Sequence, residues 1–368
     1  MKKKTLFALL LAAVMLLSGC SLNLKDSTVD AKQTIIDVNG EYVDKQSFLN
    51  VYNYYVTIQQ YYSQLFGGDG SVDEDSILES TLDNFISSMV LTQKATELGF
   101  DQFTDEELAE IQTEAQTEYD EELEYIQTNY FADSELEGDE LTAAVAAYAE
   151  SSGYTLDYFV SSVKSSKTSE RLEASVTDSV TITDEDLQAA LDEQVASEKE
   201  TYESTPATYG TRVNAGTTVY YTPAGYRTIR VISVSKPTEE GSSSDEAKQQ
   251  IDALYERLVA GEAFETLSED VKTYAICSES TTPEADVVTA AMQLTDALSY
   301  TEVLETEKSF YIVQLVEELT EHTATLEEAR ATLYDSTLES AKEAAYEAAQ
   351  QAWIDAADVK TYTERLSD

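Results

Sequence analysis

The chain has 368 residues, 42% of them hydrophobic, so it is long enough for two or three domains and apolar enough to fold. Asp and Glu number 71 against 23 Lys and Arg, which gives a formal net charge of −48. Such a chain is repelled by nucleic-acid phosphates, so we expect no nucleic acid as a partner. The sequence has no Cys/His cluster for zinc, no phosphate-binding glycine loop and no G-x-S-x-G motif, and it predicts no metal site and no cofactor.

The N-terminus has the parts of an export signal. Three lysines at positions 2–4 precede the apolar run "LFALLLAAVMLL" and then "LSGC". The run is too short for an ordinary membrane-spanning helix. Leu17 to Cys20 resembles the lipobox of bacterial lipoproteins. The resemblance implies that residues 1–19 are removed and that the Cys20 thiol carries diacylglycerol, which anchors the protein to the extracytoplasmic face of the cell membrane. Residues 20–32 would then form a lipid-anchored linker.

One thiol and one histidine remain to be explained. After lipidation of Cys20, Cys277 is the only cysteine left, so no intramolecular disulfide is expected. No histidine or basic cluster adjoins Cys277 in the sequence, which favours a buried, inert thiol over a reactive one. The single histidine, His322, follows the last predicted strand, and we expect it to be an exposed loop residue.

Proline divides the chain. All four prolines lie between positions 206 and 283, so the flanking parts can support long helices. Three regions follow from this pattern. Residues 33–179 are predicted to be mainly helical, residues 180–319 to mix helices and strands, and residues 320–368 to form a C-terminal helix.

The first region opens with a predicted strand and turn, followed by an aromatic helix. "TIIDVNGEYVD" predicts a strand that turns at Asn39 and Gly40. Five aromatic residues then recur at helical spacing: Phe48, Tyr52, Tyr55, Tyr62 and Phe66. Such a stripe is typical of a helix packed into the core, and it also suits a groove that binds an apolar peptide. The sequence leaves both interpretations open.

The second region contains strand signals that differ from the acidic helices around them. "GYRTIRVISVSKP" clusters apolar and β-branched residues between turn residues, and "SFYIVQLVEE" is a second apolar strand. A capped amphipathic helix ending at Gly261 lies between them. In the third region, Thr325 and Glu328 form a capping box that begins a helix predicted to run through Trp353.

The order of these segments resembles a known arrangement. "AGEAF" with "TLSED", "TAAMQL" and "SFYIVQL" are similar to the helix, the middle and the last strand of parvulin domains. "DVNGEYVDKQSFLNVYNYY" and "LDNFISSMVLTQKATELGFDQFTDEEL" resemble the N-terminal chaperone domain of PrsA-type foldases and SurA-type chaperones. The resemblance implies a fold that is mainly α with a small α+β domain. A reduced parvulin-like domain would be inserted into a helical SurA/PrsA-like chaperone domain, on which the C-terminal helix packs.

The parvulin resemblance does not extend to the catalytic residues. Parvulins carry two histidines on adjacent strands. Aligning the strands puts Arg230 and Tyr311 at these positions, and Val287 lies near the position of a proline-pocket phenylalanine. Arginine does not exchange a proton near neutral pH, although it can hydrogen-bond a carbonyl group. We expect Arg230 to face solvent and Tyr311 to fill the core, so no catalytic residue is predicted.

The resemblance implies an extracytoplasmic folding factor. The favoured hypothesis is a membrane-anchored chaperone that binds unfolded or newly exported polypeptides through its aromatic-lined helical domain, with a non-catalytic parvulin domain. One alternative is an active peptidyl-prolyl cis-trans isomerase with a divergent site, which would accelerate a slow step in folding. Another is a structural or adhesive surface lipoprotein. The oligomeric state stays open, with a homodimer among the options.

Overall fold

The structure is a computed structural model, and it describes residues 29–237 and 243–366. The signal segment and Cys20 lie outside the described residues. The predicted fold class is confirmed, because the described chain is mainly helical with small antiparallel sheets. The helices are α1 (Lys45–Leu65), α2 (Glu74–Glu97), α3 (Asp105–Tyr130), α4 (Gly138–Ser151), α5 (Leu156–Thr177), α6 (Asp184–Ser204), α7 (Ala207–Asn214), α8 (Asp245–Val259), α9 (Ala285–Ala291) and α10 (Leu326–Ala356).

The strands form three antiparallel sheets. They are β1 (Thr34–Val38), β2 (Glu41–Asp44), β3 (Tyr221–Thr222), β4 (Arg227–Ser235), β5 (Lys272–Ile276), β6 (Leu304–Glu305), β7 (Ser309–Glu318), β8 (His322–Thr323) and β9 (Val359–Thr361). The sheet orders are β2-β1-β9, β3-β8 and β5-β4-β7-β6. The described chain divides into two compact units, one made of residues 29–180 with 341–366 and the other of the described part of 181–340. None of the described helices is long and apolar enough to cross a membrane.

The first unit begins with a hairpin at the predicted turn. Asn39 and Gly40 both have positive φ angles, 53° and 90°. A two-residue turn with positive φ at both central positions matches the twist of an antiparallel pair, and Asn-Gly is its preferred sequence. The Asn39 side chain also accepts a hydrogen bond from the backbone amide of Asp358 at 2.8 Å, just before β9. The turn therefore joins the N-terminal hairpin to the C-terminal strand.

The core of the first unit lies between this sheet and helices from both ends of the chain. Ile36 of the central strand is fully buried together with Phe48 of α1 and Phe85 of α2. Trp353 and Ile354, near the end of α10, pack against the same cluster. The last part of α10 is therefore a structural element of this unit.

The second unit is built around the four-stranded sheet β5-β4-β7-β6. Helix α9 covers one face, where Val287 and Ala291 pack against β-strand residues such as Val231. Helix α8 covers the other face, where Ile251 packs against Ile232. Both faces are therefore buried, which explains why β7 reads as an apolar run rather than as an alternating strand.

The predicted buried thiol is present in the second unit. Cys277 is free and 6% exposed, and its backbone amide donates to Ser280 Oγ at 3.0 Å. Ser280 Oγ in turn donates to Cys277 Sγ at 3.6 Å. The pKa of Tyr226 lies far above its ordinary value, mainly because the phenol is buried and secondly because Cys277 is nearby. Cys277 therefore belongs to a packed cluster of buried tyrosines, as expected of a structural thiol.

Candidate functional site

The aromatic stripe of α1 divides into a buried and an exposed half. Helix α1 begins at Asp44, whose side chain accepts a hydrogen bond from the Ser47 amide as an N-cap. Phe48, in the first turn, is fully buried and lies 5.7 Å from the ring of Phe85, centroid to centroid. Tyr52 is half-buried and stacks on Phe48. Phe48 is therefore a core residue and makes no surface available to a ligand.

The second half of α1 exposes its aromatic side chains. Phe66 is 83% exposed and Tyr62 is 52% exposed, and their rings stack with centroids 6.4 Å apart. Their exposed neighbours on the same helix are Tyr54, Tyr61 and Leu65. Residues 46–68 contain no Asp, Glu, Lys or Arg, although 26% of the chain is charged. This half of α1 is thus an uncharged, tyrosine-rich surface on a strongly acidic protein.

Part of this surface forms a groove of about 570 Å³, which we call the α1 groove. Its lining residues are Tyr55, Ile58, Gln59, Tyr62, Ser63, Phe66, Ser71 and Val72. The segment after α1 folds back along the helix, and the Gly68 amide donates to the Ser63 carbonyl at 2.7 Å. A Cβ atom at Gly68 would lie 2.8 Å from that carbonyl oxygen, so the close approach requires glycine. The return of the chain brings Val72 to the groove.

The electrostatics of the α1 groove are set by burial and by acids at one end. Partial burial raises the pKa of Tyr55. Burial, and then the adjacent Glu74, raise the pKa of Tyr52, to which Glu74 is also hydrogen-bonded. Asp73 caps α2 by accepting from the Ser76 amide. The phenol groups therefore stay protonated at neutral pH, and the groove combines apolar rings with acidic residues nearby.

The structure brings together three of the five predicted binding residues, Tyr55, Tyr62 and Phe66. It separates them from Phe48, which lies in the core. Sequence reasoning missed the contributions of Ile58 and Val72. For Ile58 the available signal was the absence of charge from residue 46 to 68, which the aromatic periodicity alone does not reveal, whereas Val72 lies beyond that run.

Arg230 and Tyr311, which align with the parvulin histidines, lie on opposite faces of the sheet. In the β4–β7 register, Arg230 pairs with Gln314, whereas Tyr311 pairs with Ser233. Side chains alternate between faces along a strand, so positions 230 and 233 point in opposite directions. Tyr311 packs within the cluster under α9, on the face opposite to Arg230. The two side chains therefore form no common site.

Both side chains also have partners of their own. Arg230, whose side chain is 26% exposed, forms an ion pair with Glu265. Its Nη1 also donates to Gln314 Oε1 at 3.4 Å. Tyr311 is 9% exposed, and its hydroxyl donates to Glu284 Oε1 at 2.8 Å. Burial, and then the hydrogen bond to Glu284, raise the pKa of Tyr311. Each group is thus engaged in a contact of its own.

Two further positions singled out in the sequence, Val287 and His322, lie apart from Arg230 and Tyr311 in sequence. Val287 is fully buried under the sheet in α9. His322 lies in the two-residue strand β8, with its side chain 55% exposed and Nε2 3.5 Å from Glu328 Oε2. Within the described ranges, no group of three or more His, Cys, Asp or Glu side chains is arranged to hold a metal ion.

Comparison with known proteins identifies the N-terminal part. The family model described as the SurA-like N-terminal domain matches residues 1–137, a range that includes the α1 groove. No curated protein matches the chain. Similar solved structures include a SurA-like chaperone of Campylobacter jejuni, with 10% identity, coverage of 89% of this chain and 98% of that chain, and a TM-score of 0.31.

Two others are foldase proteins of the PrsA type. The one from Streptococcus pneumoniae is 18% identical, covers 91% of this chain and 97% of that chain, and has a TM-score of 0.23. The one from Bacillus subtilis is 17% identical, covers 89% of this chain and 94% of that chain, and has a TM-score of 0.22. At these identities and TM-scores the structures carry no activity over to this chain. The family model gives the identification: residues 1–137 contain a SurA-like N-terminal domain.

Proposed function

We propose that the protein is an extracytoplasmic chaperone that binds unfolded or newly exported polypeptides in the α1 groove. The observation that carries the proposal is the exposed aromatic surface of α1, where Tyr62 and Phe66 are open to solvent within the region that matches the SurA-like model. Contiguous exposed apolar side chains rimmed by polar residues are typical of interaction surfaces. Unfolded chains expose the apolar side chains that such a surface can bury.

The composition of the protein suits this role. A groove for varied clients needs apolar contact without charges that select against particular sequences, and residues 46–68 provide such a segment. Tyrosine and phenylalanine supply large contact areas while losing little conformational freedom on binding. The net charge of −48 keeps complexes with partly unfolded clients apart by mutual repulsion, so that they stay in solution.

The proposal predicts suppression of aggregation. The full chain, kept in non-ionic detergent, is mixed with a chemically unfolded client that aggregates on dilution, and light scattering is followed. We expect scattering to fall progressively and to approach its minimum near one chaperone per client, because each chain offers one α1 groove. Scattering that matches that obtained with an inert protein of the same net charge would contradict the proposal.

We further propose that the sheet unit is a non-catalytic scaffold derived from a parvulin-like domain. Twisting an X–Pro bond requires polar groups that converge on one amide, and the positions of Arg230 and Tyr311 on opposite sheet faces argue against such convergence. The Tyr311 face is also occupied by α9, with Val287 and Ala291 in the core. The unit would then act through its shape and surface alone.

The non-catalytic proposal predicts no isomerase activity. In a protease-coupled assay with a proline peptide, the full chain is expected to leave the cis-to-trans rate at its uncatalysed value, which corresponds to a relaxation time of tens to hundreds of seconds at 25 °C. Arg230→Gln and Tyr311→Phe should leave this result unchanged. Acceleration that disappears in either variant would show that the site is active after all.

The proposal places the protein on the outer side of the cell membrane. Support comes from the sequence, in which the export signal and the lipobox end at Cys20. We also propose that residues 33–179 and 320–368 make up the chaperone domain and that residues 180–319 form the inserted domain. The compact units support the boundary near residue 180, whereas their second boundary lies within α10, so that residues 320–340 fall in the second unit.

A further inference from the structure

A second exposed aromatic surface lies in the first unit, away from α1 in the sequence. It consists of Tyr125 and Tyr130 from the end of α3, Tyr148 from α4, and Tyr154 from the connection to α5, and we call it the tyrosine patch. Their exposed fractions are 55%, 58%, 36% and 37% in that order. The rings of Tyr130 and Tyr148 approach to 5.0 Å between centroids, and those of Tyr125 and Tyr130 to 6.4 Å. The patch is therefore a contiguous set of ring faces and edges.

Two carboxylates of α3 lie on the helix face that also carries Tyr125 of the tyrosine patch. Glu118 and Glu122 lie one helical turn apart on α3, so their side chains share one face of the helix. The pKa of Tyr154 is raised, first by burial and then by the neighbouring groups Glu122, Tyr130, Tyr125 and Tyr148. Glu122 and Tyr125 lie three residues apart on α3, so their side chains share one face of the helix, and the Tyr125 ring in turn contacts that of Tyr130. The patch thus presents aromatic rings and a carboxylate to the same space.

Among the described residues, the lysine that acts on Glu118 is itself paired with another acid. Burial, and then the neighbours Glu114 and Glu121, raise the pKa of Glu118. Lys167 acts on Glu118 in the opposite direction, but its Nζ forms an ion pair with Glu114 at 2.8 Å. A positively charged group at the patch would therefore relieve repulsion among these acids. An anionic ligand would meet the opposite effect.

We propose that the tyrosine patch, with Glu118 and Glu122, binds arginine side chains of unfolded polypeptides. A guanidinium group is planar and weakly hydrated, so it stacks on aromatic faces and at the same time donates to carboxylates in a fork. Tyrosine rings beside acids match both properties, whereas a purely apolar segment would leave the carboxylates without a partner. That the partner is an unfolded chain rests on the proposed function, and the preference for arginine rests on the patch alone.

The tyrosine patch would make the protein bind some clients more tightly than others. The α1 groove, which is free of charged side chains, accepts apolar side chains of any segment. The tyrosine patch would favour clients in which arginine accompanies those apolar side chains. Because the two surfaces use different residues, they can be removed separately, and the failure of one does not imply the failure of the other.

The test uses two labelled peptides and the full chain in non-ionic detergent. One peptide is a flexible Gly/Ser chain that carries two arginines, and the other carries the neutral isostere citrulline at the same positions. Fluorescence anisotropy should give about tenfold weaker binding for the citrulline peptide, which corresponds to about one charge-assisted contact. Glu118→Gln with Glu122→Gln should reduce the affinity for the arginine peptide to that of the citrulline peptide.

A matched control separates the patch from the overall charge. Glu193→Gln with Glu200→Gln removes the same charge from exposed positions on α6 and should leave the preference for arginine intact. Tyr130→Leu keeps an apolar side chain but removes the ring. It should weaken binding of the arginine peptide and leave binding of the citrulline peptide unchanged. Equal binding of both peptides, or an equal loss in the α6 control, would overturn the proposal. Tyr62→Ser with Phe66→Ser should leave arginine-peptide binding unchanged, which separates this test from that of the α1 groove.

Discussion

Replacing Phe48 by alanine is expected to lower the free energy of unfolding of the first unit by about 3–5 kcal/mol. Phe48 is fully buried against Phe85 and the first sheet, so the substitution removes a large apolar contact and leaves a cavity. Phe66→Ala makes the same chemical change on the same helix, but Phe66 is 83% exposed. We expect that second change to stay within about 0.5 kcal/mol.

The chain provides its own reporter for this comparison. Its only tryptophan, Trp353, packs in the cluster that contains Phe48, so intrinsic fluorescence follows the unfolding of this unit in particular. Denaturant titrations of the two variants then give separate midpoints for one cooperative unit. Equal shifts in the two variants would mean that α1 is not divided into a buried and an exposed half.

Replacing Cys20 by serine is expected to move nearly all of the protein from the membrane fraction to the soluble fraction. The thiol would carry the lipid, and a serine hydroxyl cannot form the thioether on which the anchor depends. Loss of the thioether therefore removes the hydrocarbon that a lipid anchor buries in the bilayer. The measurement is fractionation of cells that express each variant, together with metabolic labelling by a radioactive fatty acid.

The second cysteine gives the matched control. Cys277 is buried in the second unit, so Cys277→Ser should leave both the membrane association and the fatty-acid label unchanged. Label that persists in Cys20→Ser, or membrane association that survives without the label, would contradict lipid anchoring at this residue.

Local features of the fold were predictable from the sequence. The turn at Asn39 and Gly40 has the positive φ angles that Asn-Gly favours. The capping box at Thr325 is present, since the Thr325 amide donates to Glu328 Oε2 at 2.7 Å. Each of these structures is determined by residues within four positions of one another, so neighbouring side chains contain the required information.

Features of the fold that depend on contacts between distant residues could not be predicted from the sequence. The aromatic stripe predicts a helix, but which half is buried depends on Phe85 of α2 and on the C-terminal residues around Trp353. Arg230 and Tyr311 align with two parvulin histidines on adjacent strands. Only the register between β4 and β7 shows that their side chains lie on opposite faces of the sheet. A shift of one residue in strand alignment exchanges the faces, and because both faces of this sheet are buried, the hydrophobic pattern alone does not fix that register.

The tyrosine patch illustrates the same limit for a surface. Tyr125 and Tyr130 are close in sequence, whereas Tyr148 and Tyr154 come from a following helix and its connection. Nothing in the spacing of these residues indicates that they meet, because their contact depends on how α4 packs against α3. The uncharged run from 46 to 68 is visible in the sequence, but it spans nearly all of α1 and does not show which half is exposed.

The most direct test of the central claim compares aggregation suppression by two matched double variants of the full chain. Tyr62→Ser with Phe66→Ser removes the exposed rings of the α1 groove, whereas Val259→Ser with Tyr334→Ser removes apolar side chains that are 60% and 44% exposed in the second unit. We predict that the groove variant loses most of its suppression of light scattering by an unfolded client, while the control variant keeps it. Equal suppression by the two variants would contradict client binding in the α1 groove.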